Sequence, residues 1–127
     1  MAKIAPVFSG IVRYCGVLVL ILGIFLWTGN FDAIKPFHML LGIIVVLSLW
    51  ALAAAYAMTG KANMGLIIAA VLIGLFQAIF GAEQESILAS GPHWIIQIIH
   101  LIFGLGVIGL GERITAANKK IARTAAA

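Results

Sequence analysis

Four long apolar runs divide the chain, at positions 11–28, 37–58, 64–82 and 92–111. Each is close to the roughly 20 residues a helix needs to cross a hydrocarbon core. Between them the pattern turns polar over short stretches, TGNFDAIKP, TGKAN and GAEQESILASGP. Pro36 and Pro92 suit a first helical turn, where a missing N–H costs nothing. Ser90 suits an N-cap for the last span. The pattern predicts an all-α protein, an integral membrane four-helix bundle of up-down-up-down order. The bundle occupies residues 1–111, and a basic tail follows over 112–127.

Composition strengthens this reading. Of 127 residues, 64% are hydrophobic and 9% charged, and the mean hydropathy is +1.19. A water-soluble domain of this size leaves too much surface exposed to hide so much apolar area. Lipid is therefore the expected solvent for most of the chain, and the length suits one domain. Cys15 is the only cysteine, which excludes an intrachain disulfide and a thiolate metal cage.

The net charge of +4 does not point to nucleic acid, because the basic residues form no stripe interleaved with aromatics. Their placement follows a membrane rule instead. With four crossings, Lys3, Arg13, Lys61, Arg113, Lys119, Lys120 and Arg123 fall on one side, and only Lys35 falls on the other. Both termini are expected to be cytoplasmic, in an inner-membrane protein. The first span ends in FLWTGNFD without a small-x-small cleavage site, so it reads as retained. The tail ERITAANKKIARTAAA is basic and partly amphipathic. It suits either an anionic membrane surface or a solvated helix end.

No Asp, Glu, Lys or Arg lies deep in a span, with Arg13 near an inner end where its stem reaches water. That excludes an exporter driven through a membrane-embedded carboxylate, and a charge-relay pump. The polar residues left at membrane depth are His38, His93, His100, Gln77 and Gln97. Ionisable groups there point to function by default. His38 and His93 stand near span starts, where a wet interfacial side chain is the plain alternative. His100 lies six residues inside Trp94, roughly 9 Å deeper along a helix. Its plain alternative is an interhelical hydrogen bond, and for Gln77 and Gln97 helix-to-helix glue. His93, Gln97, His100, Gly104, Val107 and Gly111 share one face of the last span.

His38 and Gly42 stand in HMLLG, and His100 and Gly104 in HLIFG. A porphyrin is a flat plate whose iron takes an imidazole on each face. Glycine four residues after a ligand histidine lets helix backbone approach such a plate. Spans two and four run the same way, which places both histidines in the outer half. ILGIFL and LIGLFQ suggest that spans one and three repeat, with Gly23 matching Gly74. His38 stands about two residues into its expected helix and His100 about nine, a stagger on the order of 10 Å. Tilted spans, His93 as the partner of His38, or a homodimer sharing its ligands would each remove it.

At these residues the chain resembles one four-helix half of heme A synthase. Halves of that family carry heme-ligand histidines on their second and fourth helices, towards the outer face. The matching positions are His38 and His100, each with its glycine. In that family a glutamate stands four residues before a ligand histidine; here Ile34 and Ile96 hold those places, and the first outer loop has no cysteines. The resemblance therefore implies heme binding without heme A synthesis. The chain is similar, more loosely, to four-helix membrane b-type cytochromes.

The expected function is that of a small b-type cytochrome in electron transfer. Heme b would lie between spans two and four, with His38 and His100 as axial ligands and Gly42, Gly104, Gln97 and His93 around it. A quinone or an external redox partner would approach the outer face. A non-catalytic packing subunit is the second reading. A transition-metal site built from His38, His93 and His100 is the third.

Overall fold

The structure is a computed structural model that describes residues 3–29, 32–86 and 91–127. It is helical, with no strand among the described residues. The helices are α1 (Ala5–Trp27), α2 (Lys35–Ala57), α3 (Met64–Glu83) and α4 (Trp94–Ala126), with one 3₁₀ turn at Asp32–Ile34. All four helices are long and apolar enough to cross a membrane. Ser90, the expected cap of the last span, lies outside the described residues.

Two helices extend beyond their apolar runs. α1 begins at Ala5, with Pro6 in its first turn, and carries Ser9 and Gly10 in helical conformation. Ser9 and Gly10 interrupt the apolar run, yet Ser9 is buried, and its Oγ lies 2.9 Å from Thr115 Oγ1 on α4. α4 begins at Trp94, two residues after Pro92, whose carbonyl accepts from Ile95 N at 3.0 Å. Pro92 thus precedes the helix rather than opening it. At the other end α4 continues without a break through Gly111 to Ala126. Ile114 and Thr115 are buried there, so the basic tail starts as packed helix.

Each helix packs on the next, α4 closes on α1, and α2 also touches α4 across the middle. The core is made by Val12, Leu49, Leu52, Tyr56, Val107 and Ile114 with their neighbours. It lies at the end of the bundle where α2 passes to α3. There Tyr56 Oη accepts from Asn63 N at 3.0 Å, and the Asn63 side chain caps α3 through Gly65 N at 2.8 Å. Gly60 adopts φ +69°, the left-handed turn that ends α2. Close packing depends on small residues: a Cβ on Gly111 would lie 2.5 Å from Val12 Cγ1. Large apolar side chains such as Leu47, Ile68 and Ile102 face outward, as lipid contact requires.

Candidate functional site

The opposite end of the bundle, where α1 and α3 finish and α2 and α4 begin, is hollow. A cavity of about 420 Å³ lies between the four helices. Gly16, Val45, Val107 and Ile108 form its apolar depth, and Asp32, Lys35, Glu85 and His93 line its mouth. His38 and His100 also line it, with ring centroids 6.1 Å apart and planes at 61°. The expected stagger between them is absent. α2 starts at Lys35 and α4 at Trp94, so His38 is the fourth residue of its helix and His100 the seventh of its own.

Each histidine meets the helix before it through one ring nitrogen and beside one glycine. His38 Nδ1 lies 3.0 Å from the carbonyl of Val19 on α1. A carbonyl only accepts, so Nδ1 carries the proton and Nε2 keeps its lone pair. Gly23, one turn after Val19, makes the approach possible: a Cβ there would lie 3.0 Å from His38 Cε1. On the other hairpin, a Cβ on Gly81 would lie 3.2 Å from His100 Cε1. One turn before Gly81, the Gln77 amide lies 3.5 Å from His100 Nε2. Val19, Gly23 and His38 thus correspond to Gln77, Gly81 and His100.

This correspondence corrects the repeat expected from sequence. Gly74 is not the counterpart of Gly23; it packs against the Trp50 indole, where a Cβ would lie 2.5 Å from Nε1. The likeness of ILGIFL to LIGLFQ reflects shared apolar and glycine content, which lipid-facing helices have in common. The two glycines after the histidines also differ from each other. Gly42 faces open space, with nothing within 4 Å of a built Cβ, while a Cβ on Gly104 would meet Gln77 Nε2 at 3.1 Å. Gly104 therefore makes room for Gln77 as well as lining the cavity. Gly81, and the place of Gly23 beside His38, escaped the sequence reading because their partners sit on other helices.

Both rings show a hydrogen bond at only one nitrogen among the described residues. For His38 the other nitrogen is Nε2. His100 Nδ1 is buried and has no hydrogen-bond partner, and the same holds for Gln77 Oε1. Buried polar atoms are normally satisfied. His38 Nδ1 donates to a carbonyl and leaves Nε2 with its lone pair, whereas His100 Nε2 faces the Gln77 amide NH2, a donor, which leaves the ring proton on Nδ1. His93 and Gln97 line the same cavity. No group of three His, Cys, Asp or Glu side chains among the described residues could hold a metal ion. His38, His93 and His100 do not form such a group among the described residues.

Compared with known protein families, curated proteins and solved structures, the chain matches none.

Proposed function

We propose that the chain is a small membrane b-type cytochrome, holding heme b between α2 and α4 through His38 and His100, in electron transfer. The observation that carries this reading is the separation of the two rings. A metal-bound imidazole nitrogen lies about 2 Å from the metal and its ring centre about 1 Å further, so trans imidazoles have centres on the order of 6 Å apart. The observed value is 6.1 Å. The cavity around them is apolar in depth and open beside Gly42, as a flat apolar plate requires. A heme with both axial positions filled supplies one-electron transfer rather than oxygen binding. The protein's part is to fix the two rings, exclude water from the depth, and leave a polar mouth for a quinone or a redox partner.

The same reading sets the bundle in the inner membrane, up-down-up-down, with both termini cytoplasmic. Neighbouring helices meet in opposite numerical order: Gly23 by His38 but Gly16 by Val45, Gly81 by His100 but Gly106 by Ile73. Trp27 and Trp94 are exposed at the cavity end, where interfacial aromatics anchor a span. Apart from Lys35, the basic residues gather at the other end, as in cytoplasmic loops.

A packing subunit would turn its small residues towards a partner. Here Gly16, Gly23, Gly74, Gly81, Gly104 and Gly111 face side chains of the same chain, while Gly10, Gly42 and Gly109 meet nothing within 4 Å. The test is an absorption spectrum of detergent-purified protein, oxidised and then reduced by dithionite. Sharp α and β bands with an intense Soret band are expected, and His38→Ala or His100→Ala should abolish them. No Soret band after supply of hemin would overturn the reading.

A further inference from the structure

The cavity has one apolar end and one charged end. Lys35 is the only lysine or arginine among the described residues lining it. It stands one turn before His38 on α2, so the ammonium and the imidazole share a helix face. Its Nζ is bonded to Glu85, which follows α3 across the mouth. Both side chains remain substantially exposed, 43% for Lys35 and 75% for Glu85. An exposed ion pair of this kind is weak and exchanges partners readily.

A heme carries its carboxylates along one edge. Burying that edge among Val45, Val107 and Ile108 would strand the charges without partners, at high cost. The carboxylate edge therefore belongs at the mouth, within reach of Lys35. We propose that Lys35 is the counter-ion for the heme carboxylates, and that Glu85 holds the same ammonium when no heme carboxylate is present. This inference rests on the cytochrome reading above. It makes Glu85 a competitor of the ligand, and the two residues act on affinity with opposite sign.

The experiment titrates the full-length apoprotein in detergent with hemin and, separately, with hemin dimethyl ester, whose carboxylates are masked. Lys35→Gln should weaken hemin binding by about 2- to 5-fold, the scale of an exposed ion pair. Glu85→Gln should tighten it by a similar factor. Neither substitution should alter binding of the ester, which also shows that the variants are folded. Lys35→Arg should retain wild-type affinity, and added salt should shrink the hemin differences. Equal effects on both ligands, no effect on either, or weaker hemin binding in Glu85→Gln would overturn the assignment. If the wild-type protein binds neither ligand, the cytochrome reading itself fails.

Discussion

His38 is held between two features of α1: its Nδ1 lies 3.0 Å from the Val19 carbonyl, and its Cε1 lies where Gly23 lacks a side chain. A methyl group on Gly23 would approach Cε1 to 3.0 Å, and the Val19 bond stops the ring from retreating. Gly23→Ala should therefore displace the imidazole and destabilise the protein by about 1–3 kcal/mol, as overpacking does. Gly42→Ala is the control, because a Cβ there meets nothing within 4 Å. It should leave the apoprotein at least as stable, because alanine favours a helix interior over glycine, while reducing hemin uptake on the cytochrome reading. Denaturation of the apoprotein and hemin titration together separate these effects. Equal apoprotein stability in both variants would refute this account of Gly23.

Gly74 makes a second prediction, far from the histidines. Trp50 Nε1 donates to the Ala70 carbonyl at 3.3 Å, and a Cβ on Gly74 would come within 2.5 Å of that nitrogen. The indole cannot move without losing its hydrogen bond. Gly74→Ala should cost about 1–3 kcal/mol, with Trp fluorescence shifted, while, on the cytochrome reading, the spectrum of the hemin-loaded folded fraction stays as in wild type. An altered spectrum would mean that α2 and α3 transmit the strain to His38.

Arg13 and Glu112 form two hydrogen bonds of 2.7 Å across 99 residues of chain. They clasp α1 to α4 at the end away from the cavity. Glu112 follows Gly111, just beyond the last apolar run, and its pairing gives a carboxylate near the membrane a neutralising partner. Arg13→Gln or Glu112→Gln should each lower the melting temperature. The exchange Arg13→Glu with Glu112→Arg should recover part of the loss. If the double variant is no better than the singles, the pair contributes nothing as a pair.

What the sequence makes legible follows from periodicity and polarity. The apolar runs locate four helices, and the polar stretches locate their connections. His38 and His100 stand out because imidazole is costly in hydrocarbon. The start of α1 is harder to see, because Ser9 and Gly10 read as polar, though Thr115 satisfies Ser9 and Gly10 faces open space. The end of α4 is obscured in the same way by Glu112 and Arg113. The seats at Gly23 and Gly81 depend on which helix lies opposite, and so does the Arg13–Glu112 clasp. Such pairings live in tertiary contact and leave no local signature.

The Lys35–Glu85 bond holds the Glu85 carboxyl below its usual range, chiefly through the hydrogen bond and then the charge of Lys35. A carboxyl with a lowered native pKa contributes stability above its unfolded pKa and loses it as pH falls through the native one. The loop-to-helix link should therefore persist at neutral pH and fade on acidification below the ordinary carboxylate range. Thermal unfolding of wild type and Glu85→Gln should differ slightly at pH 7 and converge at the acid end. A difference that persists in acid would assign the effect to something other than this ion pair.

His93 decides between a two-ligand heme and a metal held by three imidazoles. It is the N-cap residue of α4 and lines the cavity at its mouth, so a sequence reading can place it beside either partner. The structure pairs His38 with His100 at 6.1 Å, and no trio of ligating side chains forms among the described residues. Two imidazoles fill the axial positions of a heme iron, whereas a zinc site needs a third or fourth protein ligand. On the cytochrome reading, His93→Ala should therefore retain the reduced α and β bands of the hemin-loaded protein, with at most a shift in midpoint potential from the changed polarity at the mouth. Zn²⁺ should not raise the melting temperature of the wild-type apoprotein. Loss of the bands in His93→Ala would instead make His93 an iron ligand, and would move the heme towards the mouth of the cavity.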